Sequence, residues 1–204
     1  MKGSNTTTLL DMGSGDDLVR YAGNDITGKI DGGAGFDILS YDRKDSQTLY
    51  SDDFFNMERI DMVGTGRLYG DTLVIMDQRD IERNGTVKKQ LFVDGERGDY
   101  VEQYLVNNEI TRKDLFADSD GDSVIKGTNG IFTLDNGTGR KIKAVYDEPT
   151  KDTKFVYLDS DGNKTAENYE GNIYQVYTSD GGRGFEWLID IDITVEGYTF
   201  TPII

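Results

Sequence analysis

The sequence predicts a mostly β protein, in which a short parallel β-roll leads into an antiparallel sheet or sandwich. Its 204 residues include 25 glycines, only two prolines, and 12 tyrosines within an aromatic content of 11%, a composition typical of many short strands. A glycine-rich nine-residue pattern near the start predicts the roll, because such patterns recur in stacked parallel coils. From about residue 115, apolar and polar residues alternate with a period of two, which predicts antiparallel strands.

The nine-residue pattern is G-G-x-G-x-D-x-U-x, where U is apolar, and residues 32–40 match it at every position. Gly32, Gly33 and Gly35 permit positive φ angles, so backbone carbonyl groups can approach one point closely. Asp37 adds a short carboxylate, which is a hard, charged oxygen ligand of the kind that Ca²⁺ takes. This turn is therefore predicted to bind calcium.

A second turn, residues 12–20, lacks only the first glycine of the pattern. Gly13 and Gly15 take the other glycine positions and Asp17 takes the ligand position. Val19 takes the apolar position, which faces the core. The presence of two such turns supports the calcium prediction.

The segment between the two turns is expected to be irregular. Val19 and Leu39, the apolar positions of the two turns, are 20 residues apart, which is not a multiple of nine. Within residues 21–31, Gly23 and Asp25 keep the ligand chemistry. About three coils are needed to bury a continuous core. So short a roll must therefore pack against the rest of the chain or form the end of a longer array of repeats, and we favour the array.

Two acidic loops in the second half are further calcium candidates. Residues 118–122 place three carboxylates at alternating positions, but Asn129 stands where an EF-hand has its glutamate. Residues 159–163 are followed by acids at EF-hand spacing, but Lys164 replaces the sixth-position glycine. A hairpin turn rich in Asp, Gly and Asn would give the same residues without a metal. The candidate ligands are Asp118, Asp120, Asp122, Asp159, Asp161 and Asn163.

Composition restricts the classes of function. Thirty-eight acidic and 22 basic residues give a formal net charge of −16, which repels nucleic acids and anionic membranes and attracts cations. A soluble acidic surface would give the same charge, but here many acids lie in glycine-rich turns. The chain has no cysteine and no histidine, so disulfides, thiol redox chemistry and imidazole catalysis are excluded. No apolar run is long enough to span a bilayer, and no transmembrane segment is expected.

The middle of the chain is predicted to continue in short strands. Residues 77–84 have a helical composition, with Asp77 as a cap and Asn84 before a glycine as a stop, so one or two short helical turns are expected there. Residues 95–101 place an acid after a glycine, which fits either a degenerate roll turn or an ordinary β-turn. The predicted strands are 57–62, 73–76, 91–94 and 100–105.

The second half is predicted to form antiparallel hairpins. Trp187, the only tryptophan, is expected in the core. We divide the chain into a roll with its capping strands, residues 1–105, and an antiparallel C-terminal region, residues 106–204. The predicted hairpins pair residues 141–146 with 155–158, and residues 173–177 with 185–195.

Residues 13–17, the connector 26–31 and the complete pattern at 32–40 resemble the repeats-in-toxin (RTX) adhesins, large bacterial surface proteins exported by type 1 secretion. The resemblance implies a C-terminal region that stays unfolded in low cytosolic calcium, and we expect the protein to be a monomer. It implies that this region folds as calcium binds after export, in a secreted protein or at the bacterial cell surface. Shorter segments resemble the part that follows the repeats in that family; these are 57–64, 91–95, 98–101, 174–177 and 188–190.

The preferred function is thus a non-catalytic calcium-binding module of an RTX adhesin, whose partners are calcium ions and the type 1 secretion machinery. The alternative is an adhesin domain that recognises a host-surface peptide or glycan in a calcium-dependent way, through a calcium ion in a loop or through a pocket lined by tyrosines and Trp187. An enzyme is not expected, because no two acids stand out by spacing as a catalytic pair.

Overall fold

A computed structural model describes residues 8–21, 28–41, 48–62, 70–75, 90–103, 110–147, 152–179 and 186–197. These residues form 19 β-strands in three sheets, and no helix occurs among them. The described part of the chain accordingly contains no helix that could cross a membrane. The prediction of a mostly β protein is confirmed, whereas the helical turns predicted at 77–84 lie outside the described residues.

The strands are short, and most contain three to five residues. In chain order they are β1 (Thr8–Asp11), β2 (Leu18–Tyr21), β3 (Gly28–Asp31), β4 (Ile38–Tyr41), β5 (Thr48–Tyr50), β6 (Phe54–Phe55), β7 (Arg59–Asp61), β8 (Thr72–Ile75), β9 (Gln90–Asp94), β10 (Tyr100–Gln103), β11 (Ile110–Ala117), β12 (Ser123–Lys126), β13 (Ile131–Leu134), β14 (Lys141–Asp147), β15 (Asp152–Leu158), β16 (Lys164–Tyr169), β17 (Tyr174–Ser179), β18 (Glu186–Asp190) and β19 (Thr194–Gly197).

Twelve of these strands build a stack of successive coils, which we call the parallel stack. One face of the stack has the order β1-β3-β6 and a second has β19-β10-β8-β5. The third face, β2-β4-β7-β9-β18, belongs to the 12-stranded sheet. Neighbouring strands within each of these faces run parallel.

The spacing of 20 residues between the two glycine turns is the length of one coil. Val19 pairs with Leu39, which in turn pairs with Ile60 of β7. Ile60 pairs with Val93, and Val93 with Ile189. Each of the first two coils contains two strands among its described residues. The segment 21–31, expected to be irregular, ends in one of them, β3, and its residues 22–27 lie outside the described part of the chain.

This column of apolar residues lies in the interior of the stack, as predicted for Val19 and Leu39. Every member is buried, from Val19 at 9% exposure to Leu39 at 0%. The burial of these side chains is the main stabilising contribution, at about 25 cal/mol per Å² of apolar surface. The same core contains Ile30, Leu49, Phe54, Met57, Met62, Leu73, Leu91, Val101, Trp187 and Ile193.

Strands β11 to β17 form an antiparallel arm that is inserted in the chain between β10 and β18. Its order is β16-β15-β14-β13-β12-β11-β17, and β17 pairs antiparallel with β18. Because β18 also pairs with β9, the arm and one face of the stack form one continuous sheet. The arm has its own core, in which the rings of Phe116, Phe132 and Phe155 meet edge to face with centroids 5.6 and 5.9 Å apart.

The prediction of a single strand over residues 185–195 is wrong. The chain turns at residues 191–193, where the Asp192 and Ile193 N–H groups donate to the side chain and the carbonyl group of Asp190. The two resulting strands, β18 and β19, pair in parallel with β9 and β10 in two different sheets. Strands from both sides of residue 105 therefore share sheets, and the division of the chain into two domains stays a prediction.

Candidate metal centre

The two predicted glycine turns lie directly over one another in the first two coils. Gly13 and Gly33 have φ angles of 94° and 93°, and Gly15 and Gly35 have φ angles of 117° and 151°. The N–H of Ala34 donates to the Gly13 carbonyl at 3.0 Å, and the N–H of Gly15 donates to the Ala34 carbonyl at 2.8 Å. The two turns thus share one conformation and are linked through their backbones.

Only glycine allows this close stacking. A Cβ atom at Gly33 would lie 2.0 Å from the carbonyl oxygen of Gly13, and a Cβ atom at Gly35 would lie 2.1 Å from the carbonyl oxygen of Gly15. Both positions also have φ angles that L-residues with a side chain rarely adopt. The glycine pattern therefore places backbone carbonyl groups at the surface between the turns.

Asp17 and Asp37, the predicted ligands, are brought together in one column. The N–H of Asp17 donates to Oδ1 of Asp37 at 2.9 Å, and the N–H of Asp37 donates to Oε2 of Glu58 at 2.9 Å. Ile38 pairs with Leu18 and with Arg59, so three acids occupy equivalent places in three successive coils.

Glu58 was missed by the sequence analysis. It follows Asp37 by 21 residues and stands two residues before the buried Ile60. Asp37 stands two residues before Leu39 in the same way. An acid two residues before an apolar residue, repeated at coil spacing, is the signal that could have found it. No glycine pattern accompanies Glu58.

Two carboxylate oxygens of this column are buried without a partner. Oδ2 of Asp17 and Oδ2 of Asp37 are inaccessible to solvent and receive no hydrogen bond, and the whole Asp37 residue is 0% exposed. Burying a charged oxygen without a partner is costly, because water is lost and nothing replaces it. A cation bound beside such an oxygen would supply its missing partner.

The negative charges around Asp37 also favour a bound cation. Burial raises the pKa of Asp37, the hydrogen bond from the Asp17 N–H opposes this rise, and the negative charges of Glu58, Asp17 and Asp16 add to it. In the absence of a cation these charges repel one another. A divalent ion would reverse the sign of the local field.

Carboxylates alone would not complete a metal site here. In the described residues no group of three or more acidic side chains is arranged to hold a metal ion. A site between the turns would therefore use the Asp17 and Asp37 carboxylates together with carbonyl oxygens of the glycine turns. Ca²⁺ accepts such mixed oxygen ligands in six- to eight-fold coordination.

Residues 95–101, for which two interpretations were open, form a β-turn that is also stacked in register. The N–H of Asp99 donates to the Glu96 carbonyl at 3.0 Å, as in a β-turn. The N–H of Asp71 donates to Oδ1 of Asp99 at 2.8 Å, as Asp17 does to Asp37. Oδ2 of Asp99 accepts the N–H of Glu96 at 2.7 Å. Both oxygens of Asp99 have partners, so this turn shows no sign of a missing cation.

The two acidic loops of the arm are hairpin turns of matching geometry. Oδ1 of Asp118 accepts the N–H groups of Asp120 and Asp122, each at 3.0 Å. Residues 118–122 connect β11 to β12. The loop that connects β15 to β16 has the same arrangement. Its three candidate ligands are Asp159, Asp161 and Asn163: Oδ1 of Asp159 accepts the N–H groups of Asp161 at 3.0 Å and of Asn163 at 2.8 Å.

Local hydrogen bonds thus reach Oδ1 of the first aspartate of each arm loop, and the hairpin alternative explains the residues without a metal. Hydrogen bonds from these N–H groups, with that of Asn163 contributing most, lower the pKa of the exposed Asp159. Whether either loop binds calcium stays a prediction. Gly23 and Asp25, the remaining predicted ligands, lie outside the described residues.

Asp94 is a buried carboxylate of this fold whose two oxygens lie next to a hydrogen-bond donor and a cation. It lies where the arm meets the stack, and the hydroxyl group of Tyr174 donates to its Oδ1. Its Oδ2 is 3.4 Å from Nε of Arg59. Burial raises the pKa of Asp94, while the charge of Arg59 and the hydrogen bond from Tyr174 lower it. No such cation or hydroxyl group reaches Oδ2 of Asp37.

Trp187 does not line a surface pocket. It is 1% exposed and belongs to the core of the stack, in register with Leu91. Its expected place in the core is confirmed, so it is not available to a surface ligand.

Comparison with known proteins adds no assignment. No protein-family model matches the chain, and no match is found among curated proteins or among solved structures. The functional argument therefore depends on the residues and the geometry described above.

Proposed function

We propose that this protein is a non-catalytic calcium-binding module whose parallel stack is a short calcium β-roll. The observation that carries the proposal is the pair of buried, unpartnered oxygens, Oδ2 of Asp17 and Oδ2 of Asp37, in two stacked glycine turns. A calcium ion coordinated by these oxygens and by turn carbonyls offsets the repulsion within the acidic column.

Calcium binding to the folded form alone stabilises that form by mass action. Extracellular calcium modules have dissociation constants of about 10⁻⁴–10⁻³ M. At a calcium concentration 10 to 100 times the dissociation constant, each ion contributes roughly 1.4–2.7 kcal/mol. Folding would then follow the compartment, because a chain with a net charge of −16 repels itself in the absence of the ion.

The cellular part of the proposal comes from the resemblance to RTX adhesins. On that basis the protein is an extracellular module of a large bacterial adhesin, is exported by type 1 secretion and folds after export, at the cell surface or as a secreted protein. Its partners are calcium ions and the secretion machinery.

The proposal is tested by thermal unfolding in chelator, in a calcium series and in magnesium, followed by the fluorescence of the buried Trp187. We expect calcium to raise the melting temperature by about 3–10 °C per ion, given roughly 2–4 °C per kcal/mol for a chain of this size. Magnesium should do little, because it requires near-ideal octahedral geometry and gives up its water reluctantly.

Two double variants identify the site. Asp17→Asn with Asp37→Asn should abolish the calcium-dependent rise, whereas Asp118→Asn with Asp159→Asn should retain it. The second pair is a matched control, because it also removes two acidic charges from aspartate-rich turns. A parent protein that melts alike with and without calcium would end the proposal. If only the second pair loses the calcium-dependent rise in melting temperature, the calcium site lies in the arm.

A second candidate function, recognition of a host peptide or glycan, has one supporting observation. A groove of about 340 Å³ lies along β15 and β16. It combines carboxylate, amide and phenol groups, which can hydrogen-bond hydroxyl groups. Binding of glycans on an array, lost on Asn168→Ala, would favour this function. Its lining includes Asp152, Phe155, Asn168, Tyr169, Glu170 and Asn172.

A further inference from the structure

The arm is attached to the parallel stack through three neighbouring strands, β17, β18 and β9, which we call the arm joint. β18 pairs antiparallel with β17 of the arm and parallel with β9 of the stack. Acids lie at one end of this joint. Asp94 and Asp190 are the last residues of β9 and β18, and they are only 6 and 4% exposed. Aspartates are rarely this buried unless they are paired, so the state of their charges bears on how firmly the arm is held.

The parallel register places three aspartates side by side across the sheet. Asp61 of β7 pairs with Asp94 of β9. Val93 pairs with Ile189, so the next residues along the two strands, Asp94 and Asp190, adjoin in the same register. Neighbouring strands lie about 4.8 Å apart, and like charges placed directly opposite one another destabilise the pairing of their strands. The row of Asp61, Asp94 and Asp190 therefore weakens the joint when all three are ionised.

Partners offset the negative charge of two members of this row. Oδ2 of Asp94 lies 3.4 Å from Nε of Arg59, and its Oδ1 accepts the hydroxyl group of Tyr174. Oδ2 of Asp61 accepts the hydroxyl group of Ser40 at 3.1 Å. A nearby cation and hydrogen bonds donated to a carboxylate both favour its ionised form. These partners therefore favour the ionised forms of Asp94 and Asp61.

Asp190, the third member, faces negative charge from several elements. Its Oδ1 accepts the N–H of Asp192 at 3.0 Å. The carboxylates of Asp94, Asp192 and Asp152 act on it from β9, from the turn that follows β18 and from β15. Tyr174 is its partner on β17. Burial raises the pKa of Asp190 well above its ordinary value of 3.8, the hydrogen bond from Asp192 opposes this rise, and the three negative charges add to it. Asp190 is therefore the member of the row that takes up a proton most readily.

We propose that the arm joint is a pH-sensitive connection, in which protonation of Asp190 strengthens the attachment of the arm to the stack and ionisation of Asp190 weakens it. The in-register row and its burial support this inference, because Arg59, the described cation that contacts the row, is engaged by Asp94. The folded form binds the proton more tightly than the unfolded form, so the joint gains stability as the pH falls through the raised pKa. Asp190 and the groups that face it lie outside the glycine turns, so the connection does not require calcium in those turns.

Amide hydrogen exchange of the full chain at pH 7 and pH 5, in saturating calcium, tests this connection. Exchange rates are converted to protection factors, which removes the intrinsic dependence of exchange on pH. We expect the protection of β18 to be higher at pH 5, by up to about 10-fold for each pH unit, which is the limit for the uptake of one proton. β13 is an internal reference, because β12 and β11 separate it from β17. Unchanged protection of β18, or an equal rise in β13, would overturn the proposal.

Asp190→Asn imitates the protonated form, because the amide has nearly the same shape as the acid and carries no charge. This variant should show the higher protection of β18 already at pH 7 and should change little at pH 5. Asp159→Asn is the matched control, since it removes one acidic charge from an exposed loop of the arm and should keep the response of the parent. A response to pH that persists in Asp190→Asn would contradict the proposal.

Asp152→Asn provides a second test that does not alter the joint itself. Asp152 is half-buried at the start of β15, and its charge opposes the ionisation of Asp190. Without that charge, β18 should still gain protection as the pH falls, but the midpoint of the gain in a pH series should lie lower than in the parent. A midpoint equal to that of the parent would show that the charges around Asp190 do not set the response, and would overturn the proposal.

Discussion

The glycine turns of the stack and the acidic loops of the arm contain the same residue types but treat their carboxylates differently. In the arm, Asp118 and Asp159 accept N–H groups from residues two and four positions later in their own loops. In the stack, Asp37 accepts an N–H from a coil 20 residues away, and its second oxygen is buried without a partner. An arm loop supplies hydrogen-bond donors to its own aspartate, whereas the stacking of coils buries an aspartate oxygen that receives no hydrogen bond.

This difference explains why the motif alone is a weak guide to a metal site. D-x-D spacing occurs in residues 118–122 and 159–163, where each turn is closed by its own side chain. Asp118 is buried as well, so burial alone does not distinguish the stack. What distinguishes residues 12–17 and 32–37 is that one buried oxygen of Asp17 and one of Asp37 receive no hydrogen bond. Two substitutions and a change of pH would test this contrast between the stack and the arm.

The largest effect is expected from Gly33→Ala. Its methyl group would lie 2.0 Å from the Gly13 carbonyl oxygen at a φ of 93°, so the coils must separate. We expect the free energy of unfolding to fall by roughly 2–5 kcal/mol, from the strain of the positive φ angle and from overpacking. Urea denaturation in calcium measures this loss.

Gly162→Ala in the arm loop is the control for that experiment. It has a φ of 83°, but no atom lies within 4 Å of its Cβ position, so only about 1–2 kcal/mol should be lost. Similar losses for the two variants would show that conformational strain, and not coil stacking, dominates at both sites.

Asp118→Ala should have an intermediate effect that does not depend on calcium. The substitution leaves the N–H groups of Asp120 and Asp122 without the acceptor that closes the turn. We expect a loss of about 1–3 kcal/mol, as for a hydrogen bond to a charged group. Urea denaturation in calcium and in chelator should give the same loss, and a loss seen only in calcium would make this loop a metal site.

The smallest effect is a pH dependence of opposite sign at two individual residues, Asp37 in the stack and Asp159 in the arm. The folded-state pKa of Asp37 is raised above its ordinary value of 3.8, so without calcium the folded form takes up a proton before the unfolded form does. Asp37 should therefore favour folding more as the pH falls from neutral through that raised pKa. Asp159, whose pKa is lowered, loses its contribution as the pH falls through its folded-state pKa.

Chemical denaturation in chelator between pH 7 and pH 4 measures both effects when the parent is compared with single Asn variants. Asp37→Asn should be more stable than the parent at pH 7, and its free energy of unfolding should rise less than that of the parent as the pH falls. Asp159→Asn should lose less than the parent at low pH. If Asp37→Asn is less stable than the parent at pH 7 in chelator, the carboxylate is not repelled in the folded form.

Much of the local structure could be predicted from the sequence, because it depends on neighbouring residues. The turns at 12–17 and 32–37 follow from glycine positions, and Val19 and Leu39 are buried as the pattern requires. Glu58 could not be predicted, since its coil carries no glycine pattern and its relation to Asp37 exists only through stacking. The break of residues 185–195 into β18 and β19 was also missed, because its apolar residues continue through the turn.

The sequence by itself determined a mostly β chain, two turns of one glycine pattern and an acidic charge that favours cations over nucleic acids. Only the tertiary structure decided which carboxylates are left without partners, and that β18 joins β9 although Trp187 and Leu91, which pair across them, are 96 residues apart. The physical reason is that turn conformation and alternation are local properties. Desolvation and strand pairing instead depend on which distant segments the fold brings into contact.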